Sequence, residues 1–359
     1  MPTNQRAGED RAGLVVDIHC HVSTPACEPL VSGFRALTVE PFDRFGGAST
    51  EYNRRHFAAI VPQLTTPDLR LADMDRMGVN VQAISVAPPQ YYYRAPGALG
   101  RRLARMQNEH LAEIVAGRPD RFAGLGTVPL QDVEGAIAEL HHVAGELAFR
   151  GIEICSNVAG EDLDHPRFLP FWREVERLGL LVLIHPHGFT QGDRLTEYYL
   201  INVIGNPLDS TVAVARLIFA GVLERHPALR ICVVHGGGYL PFSPYRMDHA
   251  WKVRPESRER IPKPPSSYLA KLYFDTVVFD PGELENLVRW AGADHVLLGT
   301  DYPYDMGESD PVGLVSRVPG LDPAGREAIL GGNAARLLGI PPHRTSMEDD
   351  AGEPDPEGR

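Results

Sequence analysis

The stretch Val15-Val16-Asp17-Ile18-His19-Cys20-His21 decides the fold. It is an apolar, β-branched run ending in two imidazoles spaced two apart, so on a strand both point to one face. The same design recurs along the chain. Leu181-Val182-Leu183-Ile184-His185, Ile231-Cys232-Val233-Val234-His235 and Val296-Leu297-Leu298-Gly299-Thr300-Asp301 each end an apolar run on a metal-competent side chain. In a parallel α/β barrel the carboxyl ends of the strands converge on one mouth, where such proteins do their chemistry. Residues far apart in sequence would then share one site.

Around these runs, short β-branched segments alternate with amphipathic ones. Strands are expected at 14–20, 79–86, 121–128, 150–155, 180–185, 229–235, 272–277 and 295–300. Helices are expected at 67–77, 99–117, 131–147, 167–178, 208–224, 240–251, 281–291 and in a last pair near 312–338. Val133, Ala136, Ile137, Leu140 and Val143 show the helical spacing of apolar residues. Gly179, Gly292 and Gly339 stand where a glycine closes a helix. Eight strands each followed by a helix predict an α/β fold of the (β/α)8 TIM type. A doubly wound open sheet is the alternative, but no glycine-rich phosphate loop follows the first strand.

The barrel is expected to span 13–340, with 1–12 as a disordered leader and 341–359 as a disordered acidic tail. Residues 24–66, rich in Gly, Pro and aromatic residues, break the alternation and read as an insertion after the first strand, on the catalytic face.

With 359 residues, 43% of them hydrophobic, the chain can bury one large core. A formal charge of −12 argues against a nucleic-acid surface. No apolar run reaches the ~18–20 residues of a membrane span, and no signal-peptide core follows Met1. Cys20, Cys27, Cys155 and Cys232 form no C-x-x-C pair. They are expected to be free thiols in a reducing cytoplasm.

Several imidazoles and one carboxylate suit zinc, and also manganese, iron or cobalt. A single histidine at a strand end is ordinary; four histidines and an aspartate at the ends of four apolar runs point to one metal centre. Asp17-Ile18-His19-Cys20-His21, Ile184-His185-Pro186, His235-Gly236-Gly237-Gly238 and Gly299-Thr300-Asp301-Tyr302-Pro303 together resemble the amidohydrolase superfamily, and within it the metal-dependent decarboxylase branch. Val128-Pro129-Leu130-Gln131-Asp132, Gly332-Asn333-Ala334 and His249-Ala250-Trp251-Lys252 extend the likeness, which runs from about residue 14 to 340.

The resemblance implies that His19, His21, His185 and Asp301 hold one divalent ion, zinc first and manganese second. It also implies that His235 is the acid–base residue beside it, with Asp301 sharing in catalysis. Binuclear members of the superfamily bridge two metals with a lysine at the end of the fourth strand. Here Glu153-Ile154-Cys155-Ser156 stands there, and no lysine precedes Lys252. A mononuclear site is expected, with Glu153 as a hydrogen-bonding residue beneath it.

The resemblance further implies that Arg246 binds the substrate carboxylate from a neighbouring subunit of a homodimer, since a guanidinium fork suits a carboxylate. The family's second clamp arginine would fall near Ala58; the nearest arginines are Arg54 and Arg55. Tyrosines at 91–93, 198–199, 302 and 304 crowd the expected mouth. Tyr92, Tyr304 and His187 are expected to touch a small, flat, oxygenated carboxylic acid. The leading expectation is a non-oxidative decarboxylase. The alternatives are a hydrolase or hydratase acting on a lactone, a C–C bond or an unsaturated acid through metal-activated water, and a non-catalytic metal protein.

Overall fold

The computed structural model describes residues 13–33, 46–189 and 191–341. The expected leader, most of the acidic tail and part of the insertion lie outside these. Eight parallel strands follow one another in chain order: β1 (Val16–Val22), β2 (Val81–Val86), β3 (Phe122–Gly126), β4 (Gly151–Cys155), β5 (Leu181–His185), β6 (Arg230–Val233), β7 (Tyr273–Asp275) and β8 (Val296–Leu297). The ends of the sheet meet. Ile18 N–H donates to Leu298 O at 2.9 Å, Asp301 N–H to His19 O at 2.8 Å, and His21 N–H to Tyr302 O at 2.8 Å. The molecule is the expected (β/α)8 barrel.

The principal helices are α1 (Gly47–Thr65), α2 (Pro67–Met77), α3 (Gly97–Gly117), α4 (Val133–His141), α5 (Leu169–Leu178), α6 (Asn206–Phe219), α7 (Pro244–Val253), α8 (Pro281–Ala291) and α9 (Asn333–Leu338). Helix α1 occupies the second half of the expected insertion. Its buried residues Asn53, Ile60 and Leu64 recur at helical spacing. Gly179 and Gly339 close α5 and α9 in the left-handed region, with φ of +66° and +69°.

Strand parity sorts the core into two layers. Val16, Ile18, Val81, Leu125, Leu181, Leu183, Cys232, Val234 and Leu297 fill the barrel interior, and Ala334, Leu337 and Leu338 join them. Val182, Ile184, Val233, Val296 and Leu298 face outward, in one cluster with the helix residues Met74, Leu111, Leu140, Trp172 and Leu217. Burial of an aliphatic or aromatic side chain contributes roughly 1.5–3 kcal/mol, so this two-layer core dominates the stability of the scaffold under the site.

Candidate metal centre and adjoining pocket

A bulge in β1 aims its histidines. Asp17 pairs with Gln82 and Cys20 with Ile84, so three steps on β1 match two on β2. Val16 and Ile18 face inward, but past the extra residue Cys20 and Val22 belong to the outer cluster. His19 and His21 therefore face the mouth, and their ring centroids lie 5.1 Å apart. The Asp17 carboxylate stabilises the irregularity, accepting from His19 N–H at 3.1 Å, Gln82 Nε2 at 2.9 Å, and Thr300 Oγ1 at 2.6 Å and N–H at 3.1 Å. It thereby ties β1 to the segment that carries Asp301.

His185 needs no such device, because Leu181, Leu183 and His185 share the inward parity of β5. His235 follows the inward-facing Val234, so parity alone would turn it out. Its backbone is instead left-handed, with φ +55°, as is that of Asp301 at +58°. A non-glycine residue there costs on the order of 1–2 kcal/mol, and such departures gather at functional sites. The His235 ring comes to 5.2 Å from the His19 ring and 5.1 Å from the His185 ring.

All four imidazoles surround Asp301. Its Oδ1 lies 3.1 Å from His21 Nε2, 3.4 Å from His19 Nε2 and 3.9 Å from His185 Nε2, and its Oδ2 lies 3.5 Å from His235 Nε2. Two views of the ligand set differ. The most compact foursome, with ligand atoms within 4.8 Å of one another, is His19, His185, His235 and Asp301. The contacts of the carboxylate instead group His21 with His19 and His185 on Oδ1 and leave His235 alone on Oδ2. Both groupings contain His19, His185 and Asp301, and they differ in whether His21 or His235 completes the set.

The donor set fits a divalent cation. His19 Nε2, both nitrogens of His185 and Nδ1 of His235 are buried without a hydrogen-bond partner, a state that costs roughly 1–3 kcal/mol per group if nothing compensates it. Burial would push the Asp301 carboxyl up, but the His19 charge and the surrounding imidazole contacts hold it well below the usual range. Burial lowers His19, yet Asp301 and Asp275 outweigh it and raise the imidazole well above its ordinary value. His185 is held well below its ordinary value by burial, reinforced by neighbouring imidazoles against the pull of Asp301. It is thus neutral and ready to ligate.

Outer contacts fix the rings. His19 Nδ1 bonds Asp275 Oδ2 at 2.6 Å, and His21 Nδ1 bonds Val86 O at 3.1 Å. Arg70, buried on α2, donates to His21 O and, at 2.8 Å, to Gln82 Oε1. Glu153 is fully buried and accepts from Ser85 Oγ and Tyr91 Oη, both at 2.7 Å. It behaves as a hydrogen-bonding residue beneath the site. Gly299 leaves room for this packing, since a Cβ there would sit 3.0 Å from the Cβ atoms of both His19 and Asp275.

A pocket opens above His185 and Asp301. Phe57, Tyr304 and Tyr199 and the prolines 88, 89 and 186 form its apolar walls, and His56, His187, Asn202 and Asn206 add polar edges. His187 and Tyr304 are therefore at the pocket, and the Tyr304 ring is 5.4 Å from that of His21. His235 lines an adjoining recess with Gly236, Phe242, Val278 and Glu283. Tyr92 does not reach the pocket: it is buried with Cys27, Val31, Ala95 and Leu103. Arg246 is exposed on α7 and does not line the pocket within its own chain. Arg54 and Arg55 are exposed on α1, where both pair with Glu51.

Sequence reasoning missed His56, Phe57 and Asp275. The first two sit on α1, whose buried stripe was readable from its periodicity. Asp275 ends β7 beside His19, so its position at a strand end was the available signal.

Residues 16–340 match the sequence profile of the amidohydrolase family. The chain is 37% identical over 291 residues to 2-amino-3-carboxymuconate-6-semialdehyde decarboxylase of Dictyostelium discoideum, covering 81% of each chain. It is 31% identical over 263 residues to gamma-resorcylate decarboxylase of Rhodococcus jostii, covering 67% of this chain and 78% of that one. Its fold superposes on 5-carboxyvanillate decarboxylase from Sphingomonas paucimobilis with a TM-score of 0.80 and 28% identity, over 91% of this chain and 99% of that chain.

Proposed function

This chain belongs to the amidohydrolase family, and from that premise we propose that it is a mononuclear, metal-dependent, non-oxidative decarboxylase of a small unsaturated or aromatic carboxylic acid. The observation that carries the reading is the ring of His19, His21, His185 and His235 around the Asp301 carboxylate, beneath an aromatic and proline-walled pocket. The named activities of the relatives at 31% and 37% identity support the reaction class.

In this reading His19, His21, His185 and Asp301 hold one divalent ion, zinc or manganese. The ion, when bound, supplies Lewis-acid polarisation of a substrate oxygen. His235, on the far oxygen of Asp301, holds the proton at Nε2. Loss of carbon dioxide leaves the C–C bonding pair on a substrate carbon, and that carbon takes the proton from His235. Phe57, Tyr304 and the prolines hold a flat ring and exclude water. His187 and His56 meet its polar substituents.

Arg246 binds the substrate carboxylate of a neighbouring subunit in a homodimer. Its exposed position on α7, beside the exposed Phe242 and Tyr245, supports that assignment. No helix among the described residues is long and apolar enough to cross a membrane. Four free, buried cysteines fit a reducing cytoplasm.

The test is release of carbon dioxide from hydroxybenzoates and carboxymuconate-type acids by metal-loaded enzyme in water enriched in oxygen-18. Carbon dioxide with no label gained by the organic product is expected. Label in the product without carbon dioxide would assign the site to hydrolysis or hydration.

A further inference from the structure

Asp275 is fully buried at the carboxyl end of β7, and both of its oxygens are committed. Oδ2 lies 2.6 Å from His19 Nδ1. Oδ1 accepts the backbone N–H of Gly236 at 2.7 Å and that of Val277 at 3.2 Å. The first contact fixes His19 with its proton on Nδ1 and leaves Nε2, the nitrogen facing Asp301, for the ion. The second fixes the peptide that follows His235, in a turn where residues 235 to 238 all have positive φ. Within the turn, Gly237 N–H donates to Val234 O at 3.1 Å and Gly238 N–H to His235 O at 3.0 Å, while the N–H of Gly236, the residue bonded to His235, goes to Asp275. One carboxylate therefore touches both the metal ligand on β1 and the acid–base turn after β6.

We propose that Asp275 is a positioning residue that couples the two halves of the site, setting the orientation of His19 toward the metal and of His235 toward the substrate. The proposal rests on the reading of the site as a metal centre with His235 as proton carrier. Its distinguishing consequence is a double effect. A residue that served His19 alone would alter metal affinity but not turnover at full occupancy. A residue that only filled space would alter neither.

The experiment compares wild type with Asp275→Asn and Asp275→Glu. Dissociation constants for zinc are measured by chelator competition, cobalt(II) spectra report coordination, and turnover is measured with the metal site saturated. Asp275→Asn should bind zinc about 10- to 100-fold more weakly and change the cobalt spectrum. With the site full, kcat should still fall by about tenfold or more, because the amide has a single acceptor oxygen and cannot serve His19 Nδ1–H and the Gly236 N–H together, its NH2 group facing one of these two donors. Asp275→Glu should recover part of the zinc affinity.

Wild-type zinc affinity in a folded Asp275→Asn protein overturns the proposal while leaving the metal-centre reading intact. Weakened affinity with wild-type kcat at saturation overturns the coupling to His235. Failure of wild type to bind zinc or cobalt removes both readings. Should Asp275→Asn not fold, nitrogen-15 NMR of histidine-labelled, zinc-loaded wild type decides. His19 protonated on Nδ1, with a proton shifted downfield by a short hydrogen bond, supports the proposal, and His19 bound to zinc through Nδ1 overturns it.

Discussion

Asp301 meets His235 with Oδ2, whereas its nearest contacts with the other three histidines are through Oδ1. Oδ2 is 3.5 Å from His235 Nε2, while Oδ1 takes the contacts of His19, His21 and His185. This division has its origin in the strands. β1 and β5 bring three imidazoles to one side, and the left-handed residue after β6 brings the fourth to the other. A carboxylate that ligates through one oxygen can hold or return a proton at His235 through the second.

The division predicts separable losses. His235→Asn should keep the metal and lose turnover, with kcat falling by about 10²- to 10⁴-fold, the range that positioned acid–base groups contribute. His185→Ala should lose the metal itself, because a neutral buried ligand is removed from the Oδ1 side. Metal content by atomic emission, measured beside carbon dioxide release, checks both. A His235→Asn protein that loses its metal would place His235 among the ligands, as the compact foursome allows.

Helix α1 predicts a binding effect without a metal effect. His56 and Phe57 line the pocket, and the Phe57 ring meets that of Tyr304 edge-on at 6.1 Å. Phe57→Ala removes one wall for a flat substrate and should raise KM about tenfold, roughly 1.4 kcal/mol, at unchanged metal content. His56→Ala should act in the same direction. Substitution of Arg54 or Arg55, which point out to Glu51, should leave KM unchanged. Steady-state kinetics on the best substrate, with metal content as control, decides.

The barrel was legible because parity and burial are local. Leu181 to Ile184 is a continuous apolar run, as a strand buried on both faces is, and all eight expected strands recur with shifted ends. The metal-competent set was legible because each member ends an apolar run. What was illegible depended on three-dimensional neighbours. The bulge that turns His19 and His21 inward is visible only as a register against β2. Tyr91-Tyr92-Tyr93 gives no sign of which phenol goes where. Tyr91 reaches Glu153, while a positive φ of +51° takes Tyr92 into a satellite cluster away from the pocket. Asp275 looked like any acid at a strand end until His19 and Gly236 stood beside it.

A buried acid away from the metal predicts a pH dependence of stability. Asp209 on α6 is pushed up to about 6 by burial, against the hydrogen bonds from Ser156 and from Asn157 at 3.0 Å. A carboxyl whose folded pKa lies above its unfolded value of 3.8 favours folding while protonated. That contribution is complete below about pH 4 and is lost as pH rises through about 6. Asp209→Asn removes the titration. The stability of the variant relative to wild type should rise between pH 4 and pH 7 by roughly 2–3 kcal/mol, measured by urea unfolding. A difference that is flat across this window would show that Asp209 is already ionised at low pH.

Metal removal should destabilise the whole barrel rather than one loop. The proposed ligands come from β1, from β5 and from the segment after β8, so an ion that binds only the folded chain draws on the closure of the barrel. At a free concentration of 100 times the dissociation constant, such an ion stabilises by about 2.7 kcal/mol. Chelation should therefore lower the melting temperature, and added zinc or manganese should restore it in order of affinity. The effect should fade at low pH, because Asp301 and Asp275 favour the imidazolium form of His19 and the ion must displace that proton to bind. Calorimetric scans with and without chelator at pH 5 and pH 8 test this. The chelator-sensitive part of the melting temperature should be larger at pH 8, and an equal shift at both pH values would mean that no ligand proton is released on binding.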